Sequence, residues 1–408
     1  MKSIKKIATL AALLFAAASV WAELGGLAPM PGSPAKARPR TEEDLQKELD
    51  NYDKIALEYK DYFKETEKKY MPQNFGRYLD SLYEFSLQHP LCVSAYADYI
   101  KGLLMAAQPE AKRMAKEAYG AATGALKFVP DTKEGNLSKA DYYDASARIQ
   151  FLLFGDEAKA QREAELCAKA NPKLAGKALC DFATFYMGKK DYAKALSYFQ
   201  KSFELDPNLS AFSNINAEKA LVEACAAAKK FDVLAAYCDK KMEGSIYWRD
   251  FGAFAMSAYE KAKQNAKAVL VSMLDVEYAL AYSDTGADAL IQILQKHFGK
   301  DKKAAPCIAF IKKFYDDNAV LTQGDVASLP ENVRDFFPVR YMFKMKNSSD
   351  IEELKKEFDP FCGITLGNFA LRLYDKAVKA GDKKAAADML AKIELIETVN
   401  NRKTKLKR

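Results

Sequence analysis

Histidine is almost missing from this 408-residue chain: His89 and His297 are the only two, and they stand far apart. Isolated imidazoles cannot supply the paired ligands of a zinc-protease site. Neither is accompanied by a nucleophile elbow or a related motif, and no glycine-rich phosphate loop is present. His89 directly precedes Pro90 and reads as a helix-terminal residue. Seven cysteines contain no C-x-x-C pair, which argues against thiol–disulfide catalysis. No alternating strand pattern of any length occurs. Past residue 22 there is no run long and apolar enough to span a bilayer, which takes roughly 20 residues. Carboxylate-only chemistry needs just two acids and survives this elimination. However, the Glu-Ser dipeptide of the lysozyme-like domain in the helical lytic transglycosylases is absent.

The chain begins with three lysines (Lys2, Lys5, Lys6), an apolar stretch Ile7–Val20 and a small residue at Ala22. This three-part pattern is that of a secretory signal peptide cut after Ala22. The expectation is a periplasmic or secreted protein without stable membrane insertion. The net charge is +7, and removing the three leader lysines leaves +4 for residues 23–408. Five basic residues crowd into 402–408, so the body between is close to neutral and no nucleic-acid partner is expected. Residues 23–40 carry Gly25, Gly26, Pro29, Pro31, Gly32, Pro34 and Pro39, a composition that reads as a flexible arm. Thr41 followed by Glu42, Glu43 and Asp44 signals a helix start, and Leu45, Leu49, Tyr52 and Ile55 follow at helical spacing.

After that the chain repeats itself. Ala195, Phe199, Ser202 and Pro207 are separated by four, three and five residues, and so are Ala160, Ala164, Cys167 and Pro172. Ala118, Ala122, Ala125 and Pro130 repeat the spacing, as do Tyr78, Leu82, Phe85 and Pro90 with larger side chains. Within Leu179–Pro207, one stripe (Leu179, Phe182, Ala183, Tyr186) precedes a Gly188-Lys189-Lys190 turn and another (Tyr192, Ala195, Leu196, Phe199) follows it. This segment resembles the tetratricopeptide repeat family. The resemblance implies an all-α solenoid of antiparallel helix hairpins, each stacked on the next. Pro90, Pro130, Pro172 and Pro207 are 40, 42 and 35 residues apart, somewhat more than the usual repeat.

Beyond residue 207 only helix pairing remains. Ala217–Met242 reads as a hairpin around Lys229-Lys230, while Ala253–Leu274, Ala287–His297 and Ala304–Tyr315 read as single helices. Leu321–Met345 reads as irregular, broken by Gly324, Pro330 and Pro338, and Phe369–Ile393 recovers the pattern around Ala380-Gly381-Asp382. The organisation expected is therefore leader 1–22, arm 23–40, repeats 41–245, a degenerate helical region 246–400 and a basic tail 401–408.

The family's usual binding surface is lined by the first helices of successive hairpins. Carried onto this chain, it implies outward residues Tyr142, Ser146 and Ile149, then Lys177, Asp181 and Thr184, then Asn216, Lys219 and Glu223. That mixture suits a peptide or protein partner, with no cofactor, metal or catalytic set expected. A cell-wall hydrolase or glycan-binding protein using acidic residues is the alternative, and a structural envelope component tethered by its ends is a third reading. Cys167 with Cys180, and Cys225 with Cys238, straddle expected turns, so antiparallel packing could pair them as disulfides. The opposing reading is that all are buried small apolar residues. The two readings stand level for the first pair, and the packing reading is the stronger for the second.

Overall fold

The computed structural model describes residues 41–65, 72–106, 109–209, 216–244, 248–280, 286–316, 319–348, 350–357 and 363–400. The leader, the arm, the basic tail and Cys362 lie outside them. Among the described residues every secondary-structure element is helical, and consecutive helices pack in neighbouring pairs. The chain is all-α. It divides into two compact units, Met1–Ala220 and Leu221–Arg408.

The first unit contains α1 (Glu42–Glu65), α2 (Pro72–Gln88), α3 (Val93–Ala106), α4 (Pro109–Leu126), α5 (Lys133–Ile149), a π-helical segment (Gln150–Phe154), α6 (Glu157–Ala170), α7 (Pro172–Gly188) and α8 (Tyr192–Leu205). The division falls within α9 (Ala217–Ala228). Local chemistry sets the boundaries. Thr132, Asp156, Asn171 and Asp191 each accept a first-turn amide and so cap α5, α6, α7 and α8. Pro172 occupies the first turn of α7, where its missing N–H costs nothing.

The repeated spacing maps onto the core. Ala118, Ala122, Ala125, Ala160, Ala164, Cys167, Ala195, Phe199 and Ser202 are all buried. Small side chains let paired helices approach, and one close approach is at Gly176. A Cβ placed there would sit 2.9 Å from the Asp206 Cβ, and the Gly176 carbonyl accepts from the Ser202 hydroxyl at 2.7 Å. Aromatics fill the wider gaps: Phe151 stacks on Phe182 with centroids 4.0 Å apart, and Tyr198 meets both rings edge-on. Fully burying one such side chain is worth about 1.5–3 kcal/mol.

The second unit continues with α10 (Phe231–Gly244), α11 (Trp248–Lys261), α12 (Asn265–Leu280), α13 (Gly286–Phe298), α14 (Ala305–Tyr315), α15 (Gln323–Ala327), α16 (Glu331–Arg334), α17 (Phe337–Asn347), α18 (Ile351–Glu357), α19 (Gly363–Ala380) and α20 (Lys383–Asn400). Two sequence expectations are corrected here. The single helix expected over Ala253–Leu274 is a hairpin, because Lys263 adopts φ 58° and reverses the chain between α11 and α12. The irregular stretch Leu321–Met345 contains three helices. Pro338 starts α17 in its first turn rather than breaking a helix, and Thr322 with Asp325 forms a reciprocal capping box on α15.

The turn at Lys263 is one of a set. Lys190, Lys229, Lys263 and Gly381 all adopt positive φ, between 54° and 73°. After each, the next amide bonds five residues back, as in Asp191 N to Tyr186 O at 3.0 Å and Gln264 N to Tyr259 O at 2.8 Å. These are Schellman closures, which satisfy the last carbonyls of the first helix of each pair. Three of the four place lysine where glycine is the usual occupant.

Candidate functional site

Helices α3, α5 and α7 lie in a row, and charged side chains cross from one to the next. On α3, the Lys101 ammonium meets Asp98 at 2.6 Å and reaches the Asp144 carboxylate of α5 at 3.3 Å. On α5, Arg148 holds Asp144 at 2.8 Å through Nε and pairs with Asp181 of α7 through Nη1. Lys177 stands one turn before Asp181 on α7. The sign alternates along the strip: Asp98, Lys101, Asp144, Arg148, Asp181. Its middle is dry, with Asp144 fully buried and Lys101 and Arg148 nearly so, while Asp98 is one-third exposed. Ser94 and Ser138 link α3 to α5 beside it through a hydroxyl pair at 3.0 Å.

Burial alone would strip the proton from Lys101. Asp98, Asp144 and Asp141 outweigh it and hold that proton more firmly than in an ordinary lysine. Arg148 is held in the same way by Asp144 and Asp181 against its burial. Lys177 goes the other direction: half-buried and close to Arg148, it holds its proton less firmly than usual. Asp141, half-buried, is pushed up to about 6, first by burial and then by Asp98 and Asp144, with Lys101 acting against them.

A second polar cluster flanks this strip on α4, α5 and the π segment. Tyr119 accepts from Gln150 Nε2 at 3.0 Å and from the Ser146 hydroxyl at 3.3 Å, and its ring stacks on Tyr142. Burial raises the Tyr119 phenol, but the hydrogen bonds from Ser146, Tyr142 and Gln150 outweigh it, so its pKa is lowered.

The nine residues expected to face outward divide accordingly. Tyr142, Ser146 and Ile149 are buried, which corrects that expectation. The reason is the pair Asp144–Arg148: α5 turns its charges toward α3 and α7, and this rotation carries Tyr142 and Ser146 against Tyr119. Lys177, Asp181 and Thr184 are half-buried along α7, where Thr184 bonds the Asp181 carbonyl at 2.8 Å. Asn216, Lys219 and Glu223 are exposed, and Asn216 caps α9 by accepting from Lys219 N at 2.9 Å. Sequence reasoning missed Asp98, Lys101, Asp141, Asp144 and Arg148. The available signal was opposite charge at i,i+3 and i,i+4, set among alanines and aromatics rather than on a polar face.

Of the two readings of the cysteines, the described residues follow the packing one. Cys92, Cys167, Cys180, Cys225, Cys238 and Cys307 are all free and buried. Asn171 alone separates α6 from α7, so Cys167 lies four residues before the turn and Cys180 nine after it. At 1.5 Å per residue the two are offset by about 8 Å along the helices, too far for a bridge. Their thiols point to different carbonyls, Asn171 and Leu209. Cys225 and Cys238 are similarly staggered about Lys229-Lys230. Burial pushes Cys180 and Cys225 up to about 12, which keeps these thiols protonated and unreactive.

Among the described residues no group of three or more His, Cys, Asp or Glu side chains is placed to hold a metal ion. No described helix is long and apolar enough to cross a membrane. No family model and no curated protein sequence matches the chain.

Proposed function

We propose that this chain is an exported, non-catalytic scaffold whose tetratricopeptide-like hairpins form a solenoid and hold a peptide or protein segment along the face shared by α3, α5 and α7. The observation that carries this reading is the alternating strip of charge. Its interior is locked by its own ion pairs, and it reaches the surface at Asp98 and along α7. Fixed charges need little ordering when a partner arrives, so they favour specific binding of a complementary polar segment. The recurring Ala, Phe and Ser spacing supports the family resemblance, and the leader pattern supports export to the periplasm or beyond.

The test is affinity capture from envelope extract with residues 23–408, compared with a variant carrying Lys177→Glu. Asp181 is left intact because it pairs with Arg148. A partner retained by the native chain and lost by the variant, with helical circular dichroism unchanged, is the expected result. A partner held equally by both would move binding off this face.

One observation favours a second reading. Asp141, raised to about 6 beside Asp98, resembles the shifted carboxylate of a glycan hydrolase. Peptidoglycan turnover by the native chain, abolished by Asp141→Asn, would replace the scaffold reading with that one.

A further inference from the structure

The charged strip shares its face with a row of apolar side chains. Met105 stands four residues after Lys101 on α3, and Phe185 four after Asp181 on α7. Leu152 stands four after Arg148, at the end of α5. Residues four apart on a helix share a face, about 6 Å further along it. The three helices run in one direction. Ser94 pairs with Ser138, and further along both helices Lys101 meets Asp144. Arg148 pairs with Asp181, and further along Phe151 meets Phe185 with centroids 5.2 Å apart. Met105, Leu152 and Phe185 therefore stand in file beside the strip, one on each helix, and they are 37%, 43% and 36% exposed. Single exposed apolar residues are ordinary, but a row of them rimmed by charge marks an interaction site. Leu152 is also carried by the π segment Gln150–Phe154, a helix variant that recurs at functional sites.

The width of the row and its spacing define what fits it. An amphipathic helix presents an apolar stripe at least about 100° wide, and laid here it would press part of that stripe onto Arg148 and Asp181. An extended segment presents a single file. Neighbouring helix axes stand about 8–10 Å apart, which sets the step between successive members of the row. A polyproline II segment has three residues per turn and rises about 3.1 Å per residue, so every third side chain faces the same way at steps of about 9 Å. A β-strand repeats at every second residue, at about 7 Å, and falls out of step. Charge sets the polarity: Lys189, one turn beyond Phe185, is exposed and holds its ammonium 4.3 Å from the Phe185 ring centroid.

We propose that Met105, Leu152 and Phe185 seat a polyproline II segment of a partner protein, with apolar side chains at every third residue and an acidic side chain at its α7 end, facing Lys189. The inference rests on the binding-face reading above and names the form of the bound segment.

The test is anisotropy titration of residues 23–408 with fluorescent proline- and serine-rich peptides. Two carry leucine at every third residue and glutamates at one end or the other; a third has the same composition with leucine at every second residue. The better of the first two should bind at least roughly tenfold more tightly than the third, the worth of one seated leucine. Leu152→Glu should weaken it by a similar factor and Lys189→Glu by several-fold, while Ile293→Glu on exposed α13 leaves it unchanged. Equal affinity for both spacings, no measurable binding of either three-spaced peptide, or full binding by a Leu152→Glu chain would overturn the proposal. Tighter binding of a helical peptide with leucines seven apart would overturn it too. The arm carries the same spacing at Leu24, Leu27 and Met30. Binding seen only after those three are replaced by serine would give the row to the chain's own arm and overturn its assignment to a partner. The two readings fail separately. A chain that captures a Lys177-dependent partner yet binds no spaced peptide loses only the form of the segment. A chain that binds the peptide through Leu152 yet captures its partner regardless of Lys177 keeps the row and loses the α7 charges as the determinant of capture.

Discussion

Replacing Arg148 with methionine is expected to destabilise the first unit by about 3–5 kcal/mol, the usual cost of removing one partner from a buried ion pair. Asp144 is fully buried and Arg148 nearly so, and Arg148 also holds Asp181 of the next hairpin. Its removal leaves Asp144 with Lys101 alone at 3.3 Å. Methionine fills much of the same volume, so the loss would be electrostatic rather than a cavity. Adding Asp144→Leu to the same chain should recover most of the loss, because an apolar replacement of both partners is often close to neutral. Urea unfolding of the single and double variants measures this directly. A loss below about 1 kcal/mol in the single variant would mean that the strip is worth no more than a surface ion pair.

Asp141 should make stability fall as pH rises. Its carboxyl titrates near 6 in the folded chain against 3.8 for the free group, chiefly because it is buried. Asp98 and Asp144 add to the shift, and Lys101 and a hydrogen bond with Ser94 oppose it. Between those two values the folded chain keeps a proton that the unfolded chain has released. Folding is therefore favoured at the acid end, and the advantage is lost as pH climbs from about 4 to about 6, then stays level. The size is on the order of 3 kcal/mol. Asp141→Asn should remove that part of the slope and raise stability at neutral pH. Glu163 also has a raised pKa, so the informative quantity is the difference between native and variant unfolding curves at pH 4, 5, 6 and 7. Parallel curves would show that Asp141 is ionised at no cost.

The parts of this fold that could be read in advance are those where one side-chain type answers one physical need. Ala118, Ala122 and Ala125, or Ala195, Phe199 and Ser202, are spaced as they are because one helical face must be narrow for its neighbour to approach, and these positions are buried. The hairpin within Ala217–Met242 was legible from two amphipathic stretches either side of a turn at Lys229–Asp232, although the second helix already starts at Phe231. Lys263 was not, since a lysine in the left-handed region carries no glycine or proline signal and its cost is met by the two backbone bonds of the turn. Pro338 misled in the opposite way, because proline ends a helix from within but begins one at its first turn.

The binding face was legible in part for a related reason. Its outward register was carried onto α5, as onto α7, from the family's usual surface, and α5 does not keep it. On α5 the charges are the interior: Asp144 and Arg148 sit inside a row of buried alanines, and Tyr142 and Ser146 are drawn into the Tyr119 cluster instead. Spacing shows that Asp144 and Arg148 meet. It does not show that Lys101 and Asp181, 43 and 33 residues from their respective partners Asp144 and Arg148, complete the strip.

Site-specific photo-crosslinking in the envelope tests the central claim most directly. A crosslinkable residue is placed in turn at Lys177 and Thr184 on α7, and at Glu165 on the exposed face of α6 as the control. A single partner labelled from both α7 positions and not from Glu165 is the result expected of a scaffold that binds along the α3, α5 and α7 face. Labelling of a partner from Glu165 alone, or equally from all three positions, would contradict it.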